Sequence, residues 1–77
     1  MKLDFNKLNT KEKFLTYMQE NLEDMYAKNY DALIDALTSY KDLTLELENV
    51  NHYEDLENLL DIINIIKNDY PNITIKG

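Results

Sequence analysis

Two aspartates four residues apart, Asp31 and Asp35, flank Ile34 in the stretch of this chain best suited to act on something outside it. Residues three and four apart are neighbours on a helix, so Asp31, Ile34, Asp35 and Thr38 would share one stripe. Two carboxylates in a stripe can do acid–base work only if their surroundings push their pKa values apart, and an exposed helix face does not do that. They can instead pair with cationic groups of a partner, bidentately with guanidinium. Nucleophilic catalysis has little to draw on, with one histidine (His52), one serine (Ser39) and no cysteine. No Cys/His spacing suits zinc. The aspartates lack the Asp-x-Asp-x-Asp-Gly pattern of a calcium loop, and the only glycine is Gly77. These residues predict neither an enzyme nor a metal or cofactor site. They predict a contact surface, in which a bare isoleucine on the solvent side sits between two acids.

A helix must present that surface. Asn29 is a good N-cap, because its side-chain oxygen can accept a bond from an orphan amide of the first turn. Asp31 then lies in the first turn, where the positive end of the helix dipole favours a carboxylate. Leu33, Ala36, Leu37 and Tyr40 recur at helical spacing and should face a core, giving a helix from about Asn29 to Tyr40. Residues 23–28, just before it, lack apolar periodicity and read as an acidic loop. Tyr26 in that loop is either an interface tyrosine or a plug that seals the loop onto the core.

The rest of the chain supplies a scaffold. Lys2-Leu-Asp-Phe5 alternates polar and apolar, as a short half-buried strand does. Asn9 with Glu12 resembles a capping box and predicts a helix whose inward stripe is Phe14, Leu15, Met18 and Leu22. Leu43, Leu45 and Leu47 alternate with Thr44, Glu46 and Glu48, predicting a strand with one wet face. Asn51 with Glu54 repeats the capping signal and predicts the longest helix, ending near Asp69. Its core stripe reads Leu56, Leu59, Leu60, Ile63 and Ile66, widened by Ile62 and Ile65. Pro71 stops it, since proline disfavours a helical residue before it. Ile73 and Ile75 carry a last strand. Asn72-Ile-Thr74 matches a glycosylation sequon, but the start of a buried strand is its expected setting. Tyr17, Tyr53 and Tyr70 fall on helices, where packing at the core edge is expected.

The order β-α-α-β-α-β favours parallel strands joined by helical crossovers. Parallel sheets are usually covered on both faces, yet these strands alternate; a small two-layer α/β fold with helices on one face reconciles the two. At 77 residues the chain is expected to be one domain, residues 1–77, with a modest core. The absence of cysteine fits a reducing cytoplasm. The longest apolar run, Leu56 to Ile66, is interrupted by Glu57, Asn58, Asp61 and Asn64, so no membrane span is predicted. No basic segment followed by an apolar one opens the chain, so no signal peptide is expected. Fifteen acids against eight bases give a formal charge of −7, which repels nucleic acid and anionic membranes and attracts cationic partners. Between Glu20 and Asp35 there are five acids and a single base, Lys28.

The pattern Tyr-x-x-Asn-x-Asp-Ala-Leu-x-Asp-x-Leu, spanning Tyr26 to Leu37, resembles the barstar family of ribonuclease inhibitors. Leu43 to Glu48 falls where that family has its second strand, and Asn72-Ile-Thr-Ile75 where it reads Asp-Ile-Thr-Ile. The resemblance implies a two-layer fold with three parallel strands, and a partner that is a small basic barnase-like ribonuclease or related toxin. It implies Tyr26, Asn29, Asp31, Ile34 and Asp35 as the partner-binding residues, with Asp35 the central phosphate mimic. It also implies a cytoplasmic immunity protein that is monomeric when free and uses no cofactor. The family has an extra short helix after its second strand. Only Asn49 to His52 are available for it here, so that element is expected to be missing. Three positions depart from the family: Ala27 stands for a glycine, Ile34 for a tryptophan, and Ile65 for an acid on the last helix. A second reading from charge alone is an acidic adaptor or regulatory domain docking on a basic protein that is not a nuclease.

Overall fold

A computed structural model describes residues 1–22 and 27–77. Three strands, β1 (Lys2–Asp4), β2 (Leu43–Glu48) and β3 (Ile73–Lys76), form a parallel sheet in the order β1-β2-β3. Leu3 lies beside Leu47, Leu43 beside Ile73, and Leu45 beside Ile75. The leucine and isoleucine positions therefore share one face, as the alternation requires. That face meets three helices, α1 (Lys11–Leu22), α2 (Tyr30–Leu37) and α3 (Leu56–Asp69). Leu3, Leu45 and Ile73 join buried residues of all three in one core cluster. On the opposite face Lys2, Glu46, Glu48 and Lys76 are exposed. Glu46 is flanked by Lys2 on one neighbouring strand and Lys76 on the other. The Lys2 Nζ–Glu48 Oε1 pair at 3.2 Å crosses the same surface, and at such exposure it is worth about 0–1 kcal/mol.

At the β1 edge, the Lys2 carbonyl accepts from the Tyr17 hydroxyl at 3.1 Å, and the Asp4 carbonyl accepts from the Lys7 and Leu8 amides. The Asp4 carboxylate accepts from the Asn49 side chain and the Asn6 amide, both at 3.0 Å, and these bonds hold its pKa below the usual carboxylate value. Asn49 itself takes a left-handed conformation (φ 58°), which asparagine tolerates better than most residues. The joint after β2 is not a bare linker, as expected from its length, but a single 3-10 turn, Val50–His52. At the end of that turn Tyr53 is extended and buried, not helical. Its ring meets Phe5 and Phe14 edge-on with centroids 5.3 Å and 5.6 Å away.

Two helix starts move from the expected residues for one shared reason. Thr10, not Asn9, caps α1: its hydroxyl accepts from the Lys13 amide at 3.1 Å. The Asn9 carbonyl is used by the Glu54 amide, while the Glu54 carboxylate accepts from the Lys11 amide at 2.7 Å. Glu54 thus serves the first turn of α1 and not its own helix. The Asn51–Glu54 capping signal is unused, and α3 starts at Leu56.

The buried stripe of α3 is Leu59, Ile62, Ile63 and Ile66. Leu56 is half-buried, but Leu60 and Ile65 are 44% and 41% exposed, contrary to the expected stripe. Each lies more than a quarter-turn from the centre of the buried four, on opposite flanks. An isoleucine- and leucine-rich helix carries more apolar residues than its contact face can cover. Tyr70 ends α3 outside the helical region (φ −125°, ψ 78°) before Pro71. Adjacent leucines should therefore behave oppositely. Leu59→Ala should lower unfolding free energy by about 2–5 kcal/mol, and Leu60→Ala by no more than about 0.5 kcal/mol. Denaturant unfolding of the two variants checks this, and equal losses would reject the assigned stripe.

Candidate functional site

The cap expected at Asn29 is present. Its backbone is extended (φ −145°) and its Oδ1 accepts from the Ala32 amide at 2.8 Å. The other end of α2 comes earlier than Tyr40, at Leu37. There Thr38 Oγ1 donates to the Asp35 carbonyl at 2.6 Å and Ser39 Oγ to the Ala36 carbonyl at 2.8 Å. These hydroxyls satisfy carbonyls that another helical turn would have used. Tyr40 is half-buried and donates its hydroxyl to the Leu22 carbonyl at 2.8 Å.

Leu33, Ala36 and Leu37 are buried, while Asp31, Asp35 and Thr38 are exposed. Ile34 differs from expectation. It is half-buried and packs against the core cluster, so it is not a bare solvent-side residue. Tyr30, one turn earlier, is also half-buried, and the two widen the apolar arc of α2 to about half its circumference. What remains outside is a polar ridge bearing two carboxylates. Among the described residues, neither Asp31 nor Asp35 has a cation within ion-pairing distance or a donor on its carboxylate. Asn29 is exposed at the head of this ridge. Ala27 is buried and its carbonyl accepts from Gln19 Nε2 at 3.1 Å. Tyr26 lies outside the described residues, as do Glu23 and Asp24. The arrangement thus brings together Asn29, Asp31, Ile34 and Asp35, with Ile34 contributing only part of its surface.

Sequence reading passed over Tyr30, the first residue of α2. Its hydroxyl donates to Asp55 Oδ2 at 2.7 Å and lies 2.8 Å from the Tyr53 hydroxyl. With its own proton committed to the carboxylate, Tyr30 accepts from Tyr53. The Lys11 ammonium stands 4.7 Å from the centre of the Tyr30 ring, a cation–π distance. Lys11, Tyr30 and Asp55 occupy the starts of α1, α2 and α3, so the three helix N-termini meet around one phenol. Tyr30 stands four residues before Ile34, and that spacing was the available signal. Asp55 was not recognisable, because its partner is 25 residues away.

Ser39 Oγ is engaged with a carbonyl at the end of α2, and His52 is exposed in the turn after β2. Among the described residues no three His, Cys, Asp or Glu side chains come close enough to hold a metal ion. No helix of the described residues is long and apolar enough to cross a membrane.

Burial raises the pKa of the Tyr30 phenol, helped by the bond it donates to the Asp55 carboxylate, and burial likewise raises that of Tyr53. A raised phenol pKa means that the fold favours the neutral hydroxyl. The associated stability is complete below the ordinary tyrosine value of 10.0 and is lost as pH climbs beyond it towards the folded values. Tm should therefore fall above that pH in the native protein and fall less steeply in Tyr30→Phe. Parallel slopes in thermal melts across the alkaline range would show that the phenol cluster is not coupled to folding.

A family model described as Barstar (barnase inhibitor) matches residues 1–72 of the 77, from the first residue to the turn before β3. No curated protein and no solved structure matches the chain. The matched segment includes two of the three parallel strands, all three helices and the capped carboxylate ridge of α2. The chain belongs to the barstar (barnase inhibitor) family.

Proposed function

We propose that this protein binds and inhibits a small basic ribonuclease of the barnase type, or a related toxin, by laying α2 and the residues before it across the active site. Such a site gathers cationic side chains to hold phosphates, and carboxylates on a rigid helix can take the phosphate positions and pair with arginines bidentately. The observation that carries this reading is the ridge of Asp31 and Asp35, exposed and unpaired among the described residues, on a capped helix of a chain with formal charge −7. Asp35 would contribute most. Asp31, in the first turn, also complements the helix dipole. Asn29 and Ile34 would flank the pair, and Tyr26 would reach the partner from the preceding segment. Binding needs no metal or cofactor, and the protein itself catalyses nothing. It would act as a single domain of residues 1–77, monomeric when free, as the cytoplasmic immunity or antitoxin partner of a bacterial toxin.

A half-buried isoleucine where the family has tryptophan offers a shallow apolar contact and not a large anchor. Together with Ala27 and the exposed apolar Ile65, this favours a cognate toxin different from barnase itself. The test is titration of the protein against a panel of barnase-like enzymes hydrolysing RNA, with the inhibition reaching completion at equal stoichiometry for the right target. Asp35→Ala should then cost about 2–5 kcal/mol of affinity, with folding stability changed by no more than about 0.5 kcal/mol. Full affinity in that variant would remove Asp35 from the site. Association should also slow as salt rises, because steering is screened over roughly 10 Å at ~0.1 M ionic strength. A basic, non-nuclease protein co-purifying in equal amount would favour the adaptor reading instead.

A further inference from the structure

We infer that Tyr30 is the positioning residue of α2: its hydroxyl, locked between Asp55 and Tyr53, sets how the helix is rolled and hence where Asp31 and Asp35 point. Only the binding arm of the test below rests on the inhibitor reading.

A helix of eight residues is too short to hold itself, so its orientation must come from outside. Asn29 caps it locally, and a local cap defines where the helix begins without defining how it sits on the sheet. Leu33, Ala36 and Leu37 hold it by apolar contact, which is not directional. Among the described residues, the side chains of α2 make only two hydrogen bonds to other elements, and both come from Tyr30. Hydrogen bonds are directional, so this pair restrains roll more narrowly than burial of one face alone. Asp31 follows Tyr30 directly, and Asp35 lies one turn beyond Asp31.

Asp55 shows that the tie has been favoured over a local alternative. It stands at the N-cap position of α3, yet its side chain accepts no backbone amide of that helix. One carboxylate oxygen accepts from Tyr30 at 2.7 Å and the other from Asn58 Nδ2 at 3.0 Å. Ring burial alone would be served by phenylalanine. The hydroxyl adds a polar group that needs partners at this half-buried site. The Lys11 ammonium over the ring extends the same restraint to α1.

The experiment compares Tyr30→Phe, Asp55→Ala and Asp55→Asn by amide hydrogen exchange and by inhibition of the barnase-like panel. Tyr30→Phe and Asp55→Ala should lose roughly tenfold protection at α2 amides while β2 amides keep theirs. Asp55→Asn retains an acceptor oxygen and should restore most of it. In the binding arm, Tyr30→Phe should weaken inhibition roughly tenfold. That loss should largely vanish when Asp35→Ala is already present, because misdirecting an absent carboxylate has no effect. Protection lost equally in α2 and β2, or unchanged in α2, would overturn the proposal, as would strict additivity with Asp35→Ala. If the unmodified protein inhibits no enzyme of the panel, the functional reading fails, and the exchange arm, which needs no partner, still decides the role of Tyr30.

Discussion

A three-stranded parallel sheet that is covered on one face must give the other to water, and the remaining structure follows from that division. Parallel strands need helical crossovers, and here all three helices lie on the leucine and isoleucine side. The opposite side has to be polar, which accounts for Lys2, Glu46, Glu48 and Lys76. With so few residues, the three helices share one core, and α3, whose Leu60 and Ile65 stay exposed, has more apolar surface than that core can take. What α2 has left for display is a polar ridge.

The starts of the helices are where this economy is most visible. Glu54 serves the first amide of α1, Asp55 serves the phenol of α2, and the Asn9 carbonyl receives the Glu54 amide. Glu54 and Asp55, which could have capped their own helix, are used instead between elements. The result is a polar joint among three helix N-termini beside the Phe5–Phe14–Tyr53 aromatic cluster. The carboxylate ridge of α2 begins directly at that joint. Its placement is therefore tied to all three helices.

What could be read from sequence was what local chemistry dictates. Asn29 with Ala32 is a contact three residues long, and the cap was recognisable. Strand alternation named the sheet face, and Pro71 marked the end of α3. The failures share a different physical origin. Asn9 and Thr10 are both good caps, and only the distant Glu54 decides between them. The isoleucine-rich α3 has apolar residues on nearly every side, so periodicity could not separate Leu59 from Leu60. Periodicity within α2 alone puts Ile34 on the solvent side, and only the core cluster it packs against half-buries it. The ridge of Asp31 and Asp35 was legible from spacing; the Tyr30–Asp55 tie that orients it was not, since it joins residues 25 apart.

The β1 edge carries a consequence for the behaviour of many copies together. A strand at the border of a sheet is a template on which another chain can polymerise. At this border the Lys2 carbonyl is already taken by the Tyr17 hydroxyl, and the Asp4 carbonyl by the amides of the following turn. An incoming strand would have to displace these three intramolecular donors before its own amides could bond. Strand-by-strand growth is thereby discouraged on that side, by two edge acceptors already occupied within the folded chain.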